Sequence, residues 1–150
     1  MICPFCLHKK SEIYNTRSKN QGSTVWRRRR CLSCGKTFTT RESTDPSTIW
    51  KIKSAKTITP YSRAKLAMSL LRACDHRSNE DRSAWYLFEA VEQQLYPIAV
   101  KKNNQLQNTD IYTKVTALLK RFDAVAYVKY MSYHQPTMDV RTLRKQLRDG

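Results

Sequence analysis

Four cysteines near the start of the chain stand in two Cys-x-x-Cys pairs, Cys3 with Cys6 and Cys31 with Cys34. Each pair supplies two thiolates, and together they supply the four soft ligands that Zn²⁺ binds at tetrahedral corners. The chain has five cysteines and no recognisable export signal, so we expect a reducing compartment, where such pairs bind metal more often than they form disulfides. The sequence therefore predicts a structural zinc site, because four thiolates leave no coordination position open for catalysis.

A run of four arginines, Arg27 to Arg30, stands directly before the second cysteine pair. On a strand, Arg27 and Arg29 share one face and Arg28 and Arg30 the other, so at least one pair points outward. Guanidinium groups suit phosphate oxygens and guanine edges. Further cations lie in the same short segment: Lys9, Lys10, Arg17 and Lys36. We therefore predict nucleic-acid binding rather than a solvated charge run, and the composition leaves DNA and RNA open.

The whole chain is basic, with 28 Lys and Arg against 12 Asp and Glu and a net charge of +16 in 150 residues. Such a field attracts polyanions, nucleic acid first and acidic lipid second. With 40% hydrophobic residues the chain is expected to be globular, but no apolar run approaches the roughly 20 residues that span a bilayer. We expect a cytoplasmic protein without membrane contact.

A turn-like stretch, Ser43–Ser47, is a plausible linker that divides the elements positioning these residues into two groups. The 24 residues between the cysteine pairs are enough for a hairpin. After the turn, alternation predicts strands over 48–53 and 57–59. The predicted domains are a zinc ribbon (1–45), a second domain (48–136) and a basic tail (137–150), which is either an amphipathic helix or disordered.

Helical spacing dominates the second domain. A first helix is predicted after Ser62 as N-cap, with Cys74 as a small, unreactive core residue. A second helix is predicted to stop at Pro97, followed by a loop over 101–108 and a third helix capped by Thr109. The aromatic segment 125–133 is assigned as a fourth helix. The apolar positions that define the first three helices are Leu66, Leu70, Cys74; Trp85, Phe88, Val91, Leu95; and Ile111, Val115, Leu118, Leu119, Phe122.

Several motifs resemble the bacterial ribonucleotide reductase transcriptional repressor family (NrdR type), over nearly the whole chain. In the first domain they are Cys3-Pro4-Phe5-Cys6, Arg17, Arg27-Arg28-Arg29 before Cys31, Cys34, and Phe38-Thr39-Thr40. In the second domain they are similar to an ATP-cone: Ile52-Lys53, Pro60-Tyr61, Lys65-Leu66, Leu71-Arg72-Ala73-Cys74, and Val125-Ala126-Tyr127-Val128. The resemblance implies an α+β fold, in which a small zinc ribbon with four cysteine ligands is followed by a short sheet packed on a four-helix bundle.

The resemblance also implies a function. Family members bind double-stranded operator DNA through the ribbon, and ATP or dATP in the cone controls their homo-oligomeric state. Carried over to this chain, the DNA-contacting residues are Arg17, Arg27, Arg28 and Arg29, to which the local charge adds Arg30 and Lys36. Lys53, Lys65 and Tyr127 are the implied nucleotide-binding residues, since a triphosphate requires cationic donors.

The chain departs from the family pattern in the cone. Ser54-Ala55-Lys56 stand where Arg-Asp-Gly is usual, Thr59 replaces a Glu, and His134 occupies a Tyr position. These changes leave the nucleotide preference open.

Two other classes of function are alternatives to a repressor. One is a constitutive zinc-ribbon module bound to RNA, the ribosome or RNA polymerase. The other is an enzyme, which we do not expect: paired carboxylates, a Ser-His-Asp set, a P-loop and an open metal position are all missing from the sequence pattern.

Overall fold

The computed structural model describes residues 1–19, 23–76, 80–135 and 139–148. The chain divides into two compact units, Met1–Asp45 and Pro46–Gly150, and the predicted boundary at 136 and 137 lies outside the described residues. The mixed α+β architecture predicted from the sequence is confirmed. Across the described part, no helix has both the length and the apolar character to cross a bilayer.

The first unit is a three-stranded antiparallel sheet in the order β1-β2-β3. Its strands are β1 (Ser11–Lys19), β2 (Thr24–Cys31) and β3 (Thr37–Ser43). The first two form a hairpin between the cysteine pairs, and Tyr14 is an extra residue in β1 where the register shifts between Ile13 and Asn15. Because β2 is the central strand, its arginines are held in a fixed register by partners on both sides.

The second unit contains another small sheet, in the order β5-β4-β6. Its strands are β4 (Lys51–Lys53), β5 (Ile58–Pro60) and β6 (Gln105–Leu106). β4 pairs antiparallel with β5 and parallel with β6. The prediction of a strand from residue 48 is wrong at its start, because Pro46–Thr48 form a 3-10 turn whose Pro46 carbonyl accepts hydrogen bonds from the N–H groups of Ile49 and Trp50.

The prediction of a plain loop over 101–108 is also wrong, because β6 lies within it. Two residues are too few to show alternation in a sequence. Leu106 is nevertheless fully buried, and pairing of Ile52 with Leu106 completes the sheet.

Two long helices follow the hairpin, α1 (Arg63–Cys74) and α2 (Glu80–Lys101). Ser62 caps α1 as predicted, accepting a hydrogen bond from the N–H of Lys65 at 3.3 Å. The prediction that the second helix stops at Pro97 is wrong, since α2 continues to Lys101. Proline removes one intrahelical hydrogen bond, but the fully buried stripe of Val91, Leu95 and Ala99 continues past it, so apolar burial holds the last turn in place.

The remaining helices are α3 (Asn108–Phe122), α4 (Ala124–His134) and α5 (Val140–Arg148). The segment predicted as a fourth helix is confirmed as α4. Thr109 is not the cap of α3; Gln107 is, and its N–H donates to Asp110 Oδ2 at 2.8 Å. The tail, for which the sequence allows helix or disorder, is a helix over 140–148.

One apolar core lies within the second unit. It includes residues of all four helices α1, α2, α3 and α4, together with Trp50, which precedes β4, and Leu106 of β6. Cys74 is 1% exposed, which confirms that it is a small core residue. Trp50 packs on Tyr61 and Tyr96, with ring centroids 5.3 and 4.8 Å apart. The core fixes the ends of β4, α1, α3 and α4 around a cavity.

Candidate functional site

The four cysteines of the two pairs come together at one end of the first sheet. Their sulfur atoms all lie within 4.8 Å of one another, with Cys3 Sγ 3.8 Å from Cys34 Sγ and Cys6 Sγ 3.6 Å from Cys31 Sγ. A tetrahedron with Zn–S bonds of about 2.3 Å has edges of about 3.8 Å between sulfurs. The donor set and its spacing therefore fit a four-thiolate zinc site.

The two cysteine turns have the same backbone geometry. The first cysteine of each turn donates its N–H to the carbonyl five residues later, Cys3 to His8 at 2.9 Å and Cys31 to Lys36 at 3.0 Å. Each first sulfur also accepts an N–H from the residue two positions on, at 3.4 Å in both turns. These donors orient the thiolates and stabilise their negative charge.

Each turn closes through a residue with positive φ, Leu7 at 58° and Gly35 at 69°. Glycine adopts this conformation without strain, whereas leucine places its Cβ too close to the backbone. The first turn is therefore strained at Leu7, and the second is not strained at Gly35.

The thiols of the cluster differ in acidity. A backbone hydrogen bond from Cys34, with a second from Ser33, lowers the pKa of Cys31 to about 6. A backbone hydrogen bond at His8 lowers the pKa of Cys6, but desolvation and hydrogen bonds to the neighbouring cysteines outweigh it and raise that pKa to about 11. A bound dication would stabilise all four cysteines as thiolates.

Strand β2 divides its arginines between two faces of the sheet. Arg27 and Arg29 are half-buried and are held by the neighbouring strand: Arg27 forms an ion pair with Glu42, and Arg29 Nε donates to Thr40 Oγ1 at 3.1 Å. The guanidinium groups on this face therefore bind partners in the neighbouring strand of the same sheet.

The other face carries exposed cations and aromatic rings. Arg28 and Arg30 are exposed on it, and the register places Arg17 and Arg41 on either side of Trp26. Residues directly opposite in a sheet project to the same side. We call this surface, made of Arg17, Trp26, Arg28, Arg30 and Arg41, the arginine face.

Two cation–π contacts stiffen the arginine face. Lys19 Nζ lies 4.5 Å from the ring centroid of Trp26, and the Arg28 guanidinium carbon 5.9 Å from that of Tyr14. Lys36, the other predicted contact, is exposed at the second cysteine turn with its Nζ 5.1 Å from the Phe5 ring. The predicted cations thus lie along β1 and β2 and at the second cysteine turn, and those of β2 are divided between both faces of the sheet.

A cavity of about 680 Å³ opens in the second unit. It is bounded by the β4–β5 hairpin, the first turns of α1 and α3 and the last turn of α4. Polar lining comes from Ser54, Thr57, Thr59, Ser62, Lys65, Ser69, Asn108, Thr109, His134 and Gln135. This volume is typical of sites for small molecules and cofactors.

Three aromatic side chains, Tyr112, Tyr130 and His134, form a cluster in the cavity wall, which we call the aromatic trio. The His134 ring centroid lies 4.2 Å from that of Tyr130 and 6.4 Å from that of Tyr112. Burial lowers the pKa of His134 and raises that of Tyr130 to about 12. The trio therefore presents neutral rings to the cavity at neutral pH. Sequence reasoning missed it because its members come from two helices.

A partly buried ion pair supports the wall beside Tyr61, which also lines the cavity. Arg63 donates to both carboxylate oxygens of Glu92, at 2.9 and 2.7 Å. Tyr61 Oη donates to Glu92 Oε1 at 3.2 Å, and burial, then the Glu92 charge, raises the pKa of Tyr61. This network fixes the start of α1, and with it Ser62 and Lys65.

Of the three residues predicted for a nucleotide, Lys65 lines the cavity. Lys53 is exposed at the end of β4 and lies next to the lining residue Ser54, without itself forming the wall. Tyr127 is 5% exposed, belongs to the core and lies outside the cavity lining. It shares α4 with Tyr130 and His134, so the sequence indicated the right helix.

The cysteine cluster and its sheet define the first unit as a zinc ribbon. Residues 1–42 match the family described as "Transcriptional repressor NrdR-like, N-terminal domain". A "Transcriptional repressor NrdR" of Acetivibrio thermocellus is 32% identical over 148 residues, which is 99% of this chain and 96% of the relative. The chain therefore belongs to the NrdR transcriptional repressor family.

Two further relatives carry the same name and align over nearly the same span. The Petrotoga mobilis protein is 30% identical over 99% of this chain and 97% of its own length. The Caldicellulosiruptor bescii protein is 29% identical over 98% of this chain and 94% of its own length. Both units of the chain, and not the ribbon alone, thus have counterparts in these relatives.

Proposed function

We propose that the chain is a nucleotide-responsive transcriptional repressor that binds operator DNA through its zinc ribbon. Membership of the NrdR family supports the regulatory role. Cys3, Cys6, Cys31 and Cys34 are the proposed zinc ligands, because their sulfurs have the spacing of a tetrahedral site. Cysteine pairs of this kind bind metal more often than they form disulfides in a reducing compartment, so the proposed location is the cytoplasm. The proposed targets are ribonucleotide reductase genes, as the resemblance of the sequence implies.

The observation that carries the DNA-binding proposal is the arginine face. Arg17, Arg28 and Arg30 are exposed there beside one another on adjacent strands, and a three-stranded sheet pinned by metal holds them in one register. We assign phosphate and base contacts to these residues first. Arg27 and Arg29 are engaged with Glu42 and Thr40, so their proposed role is to hold the sheet and to reach DNA from its other side. Lys36 adds charge at the cysteine turn.

The proposed effectors are adenine nucleotides, ATP and dATP, bound in the cavity of the second unit. The cavity's size, its aromatic trio and Lys65 support this assignment. If the two nucleotides stabilise different homo-oligomers, the spacing of paired ribbons changes and one spacing matches two operator half-sites. The described residues provide no arrangement suited to catalysis at the cysteine cluster, since all four thiolates are committed to the metal. Nucleotide acts here as an effector and not as a substrate.

Two double variants with the same loss of charge test the DNA-binding assignment. Arg28→Ala with Arg30→Ala removes two exposed cations of the arginine face, whereas Arg27→Ala with Arg29→Ala removes two that are engaged within the sheet. We expect the first pair to weaken duplex binding about 100-fold and to reduce the slope of log affinity against log salt by about 2, because two phosphate contacts are lost. The second pair should weaken binding less and lower the stability of the ribbon more.

The measurement is fluorescence anisotropy of zinc-loaded protein with a labelled operator duplex, an unrelated duplex and a structured RNA. Equal losses for both double variants would contradict the assignment to the arginine face. Tighter binding to RNA than to any duplex would favour a constitutive RNA-binding ribbon over a repressor.

The proposed nucleotide control is tested by measuring the mass of the oligomer. Light scattering and operator binding are measured with ATP, with dATP and without nucleotide. We expect the oligomer and the operator affinity to differ between the two nucleotides. The same mass and the same affinity in all three conditions would exclude nucleotide control.

A further inference from the structure

The end of the ribbon that carries the cysteine cluster exposes bulky apolar side chains. Four large hydrophobic residues beside the cysteines have more than half of their surface exposed: Ile2, Phe5, Leu7 and Leu32. Because the four sulfurs lie within 4.8 Å of one another, the residues next to them surround one end of the sheet. We call these four residues the apolar tip. An exposed apolar group of this kind marks an interaction site more often than scattered single residues do.

The backbone of Leu7 is a second sign that this end of the ribbon binds a partner. Leu7 occupies the position in the first cysteine turn that Gly35 occupies in the second, and both have positive φ. Leucine is strained in this conformation, whereas glycine is not. Leu7 is 75% exposed, so burial within the chain does not offset the strain. Strained residues of this kind are concentrated at functional sites.

The charged residues around the apolar tip are cations. The exposed lysines nearest the cysteines are Lys9, Lys10 and Lys36. The segments 1–10 and 31–40 contain no Asp or Glu, and Lys36 Nζ lies 5.1 Å from the ring centroid of Phe5. A symmetric contact between two apolar tips would bring these cations together, which is unfavourable. An anionic partner therefore fits this surface better than a second copy of the chain.

The apolar tip lies at the end of the arginine face. Arg28 and Arg30 of that face precede Cys31 by three residues and by one residue. A strand advances about 3.3 Å per residue, so Arg28 lies about 10 Å from Cys31 along β2. A duplex bound to the arginine face is therefore close to the apolar tip.

Duplex DNA combines the two properties that the apolar tip requires of a partner. Its phosphates are anionic, and its stacked bases form an apolar interior. Phe, Leu and Ile side chains of DNA-binding proteins enter the minor groove and partly unstack a base step, which kinks the duplex. The residue types of the apolar tip are those used in this way.

We propose that the apolar tip is a wedge that enters the minor groove of the operator and kinks the duplex at one base step of each half-site. Leu7 is the side chain that inserts, and the three lysines around it contact the neighbouring phosphates. The step that opens is a pyrimidine–purine step, because such steps unstack most easily. This inference rests on the proposed DNA-binding function of the ribbon and adds a second set of contacts to it.

The kink is measured with the zinc-loaded full chain and the operator duplex. Energy transfer between labels at the two ends of the duplex reports bending, and 2-aminopurine in place of single adenines reports unstacking. We expect the ends to approach each other on binding and the 2-aminopurine fluorescence to rise at a pyrimidine–purine step. Binding of the duplex without either change would overturn the inference and leave the proposed DNA-binding function in place. No binding of the duplex would overturn both.

A variant at Leu7 removes the wedge and keeps the turn. Asparagine adopts positive φ readily, so Leu7→Asn replaces the apolar side chain without a change of backbone. We expect operator affinity to fall about tenfold and both signals to be lost, while the slope of log affinity against log salt stays unchanged because no cation is removed. Val100→Asn, at an aliphatic residue of the second unit that is 72% exposed, is the matched control and should change none of these.

Leu7→Gly separates a wedge from a residue that only stabilises the turn. Zinc affinity should rise because the strain is relieved, whereas operator affinity should fall about tenfold because the side chain is missing. A leucine with only a structural role would change both affinities in the same direction. Higher zinc affinity together with unchanged operator affinity would overturn the inference.

The same variants test two other occupants of the apolar tip. Vesicles made of phosphatidylglycerol and phosphatidylcholine in equal parts test a lipid surface, and light scattering without DNA tests a second copy of the chain. We expect Leu7→Asn to change neither vesicle binding nor mass. Vesicle binding that is lost in Leu7→Asn would assign the tip to a lipid surface, and a lower mass would assign it to self-association. Either result, with operator bending unchanged, would overturn the wedge.

Discussion

Each of the two units of this chain is stabilised internally in a different way. Among the described residues of the first 45, Cys3, Thr24 and Cys31 are buried, and two of these three are proposed metal ligands. The second unit has a contiguous core that includes Leu70, Val91, Leu119 and Tyr130. A segment as small as the ribbon buries too little apolar surface to offset its conformational entropy. We therefore expect the stability of the ribbon to depend on the proposed zinc ion, whereas that of the second unit depends on packing.

This difference explains where each unit can tolerate unusual residues. In the ribbon, most side chains are exposed, so its faces are available for cations and even for an exposed tryptophan. In the second unit, the core fixes four helices, and three of the residues that depart from the family pattern, Ser54, Thr59 and His134, lie at the cavity that the core leaves open. Binding chemistry can change there without loss of the fold.

The largest predicted effect is that of zinc removal. Chelation, or Cys34→Ser, should unfold the ribbon and abolish DNA binding, because structural zinc supplies about 10–16 kcal/mol to domains of this size. The thermal transition of the second unit should remain. Calorimetry and backbone NMR before and after chelation measure both. Loss of the second transition on chelation would show that the units do not fold independently.

A truncation in the apolar core should destabilise the second unit and not the ribbon, which is the reverse of zinc removal. Leu119→Ala in α3 removes a fully buried side chain and should cost about 2–5 kcal/mol of unfolding free energy in the second unit. The zinc site should be unaffected. Urea denaturation gives the energy, and cobalt substitution, followed by its thiolate absorption, reports the metal site. Leu71→Ala, at a residue that is 42% exposed, is the matched control and should cost less than about 1 kcal/mol.

The smallest predicted effect distinguishes the two cysteine turns. Leu7→Gly should relieve the strain of a left-handed leucine and stabilise the folded ribbon by about 0.5–1 kcal/mol. Because folding and zinc binding are coupled, zinc affinity should rise about two- to fivefold.

Gly35→Ala is the reciprocal change. A Cβ at Gly35 would meet nothing within 4 Å, so any loss of zinc affinity comes from backbone strain alone. Competition with a chelator of known affinity measures both variants. A weaker site in Leu7→Gly would mean that the leucine side chain contributes more than its conformation costs.

The sequence was most informative where spacing carries the chemistry. Cys3, Cys6, Cys31 and Cys34 were recognised as one cluster because two short turns of the same form require a common ion. The alternation of Arg27 to Arg30 between two faces followed from strand periodicity. Strand periodicity did not show which pair is exposed, because that depends on Glu42 and Thr40 in another strand.

Sequence reasoning was weaker where partners are distant along the chain. Pro97 is a helix breaker by local rules, but burial of Leu95 and Ala99 overrides them. Strand β6 has two residues and no periodicity of its own. The aromatic trio joins Tyr112 in α3 to two residues of α4. Of the three residues that the resemblance indicated for the nucleotide, Lys65 lines the cavity, whereas Lys53 and Tyr127 do not.

The parallel pairing of β4 with β6 has a consequence for how the second unit forms. Lys51 pairs with Pro60 on one side and with Gln105 on the other. The first edge of β4 is therefore paired by a strand close in sequence, whereas β6, which pairs with the second edge, follows α1 and α2 in the chain. Contacts between residues this far apart in sequence form late, since the intervening chain must first be ordered. A nascent chain that ends before Gln105 therefore presents β4 as an open strand edge, which is a site for unwanted pairing with other chains. In the ribbon, each pair of neighbouring strands is consecutive in sequence, so no strand edge has to wait for a distant segment. The ribbon can bind the proposed zinc ion as soon as Cys34 has emerged.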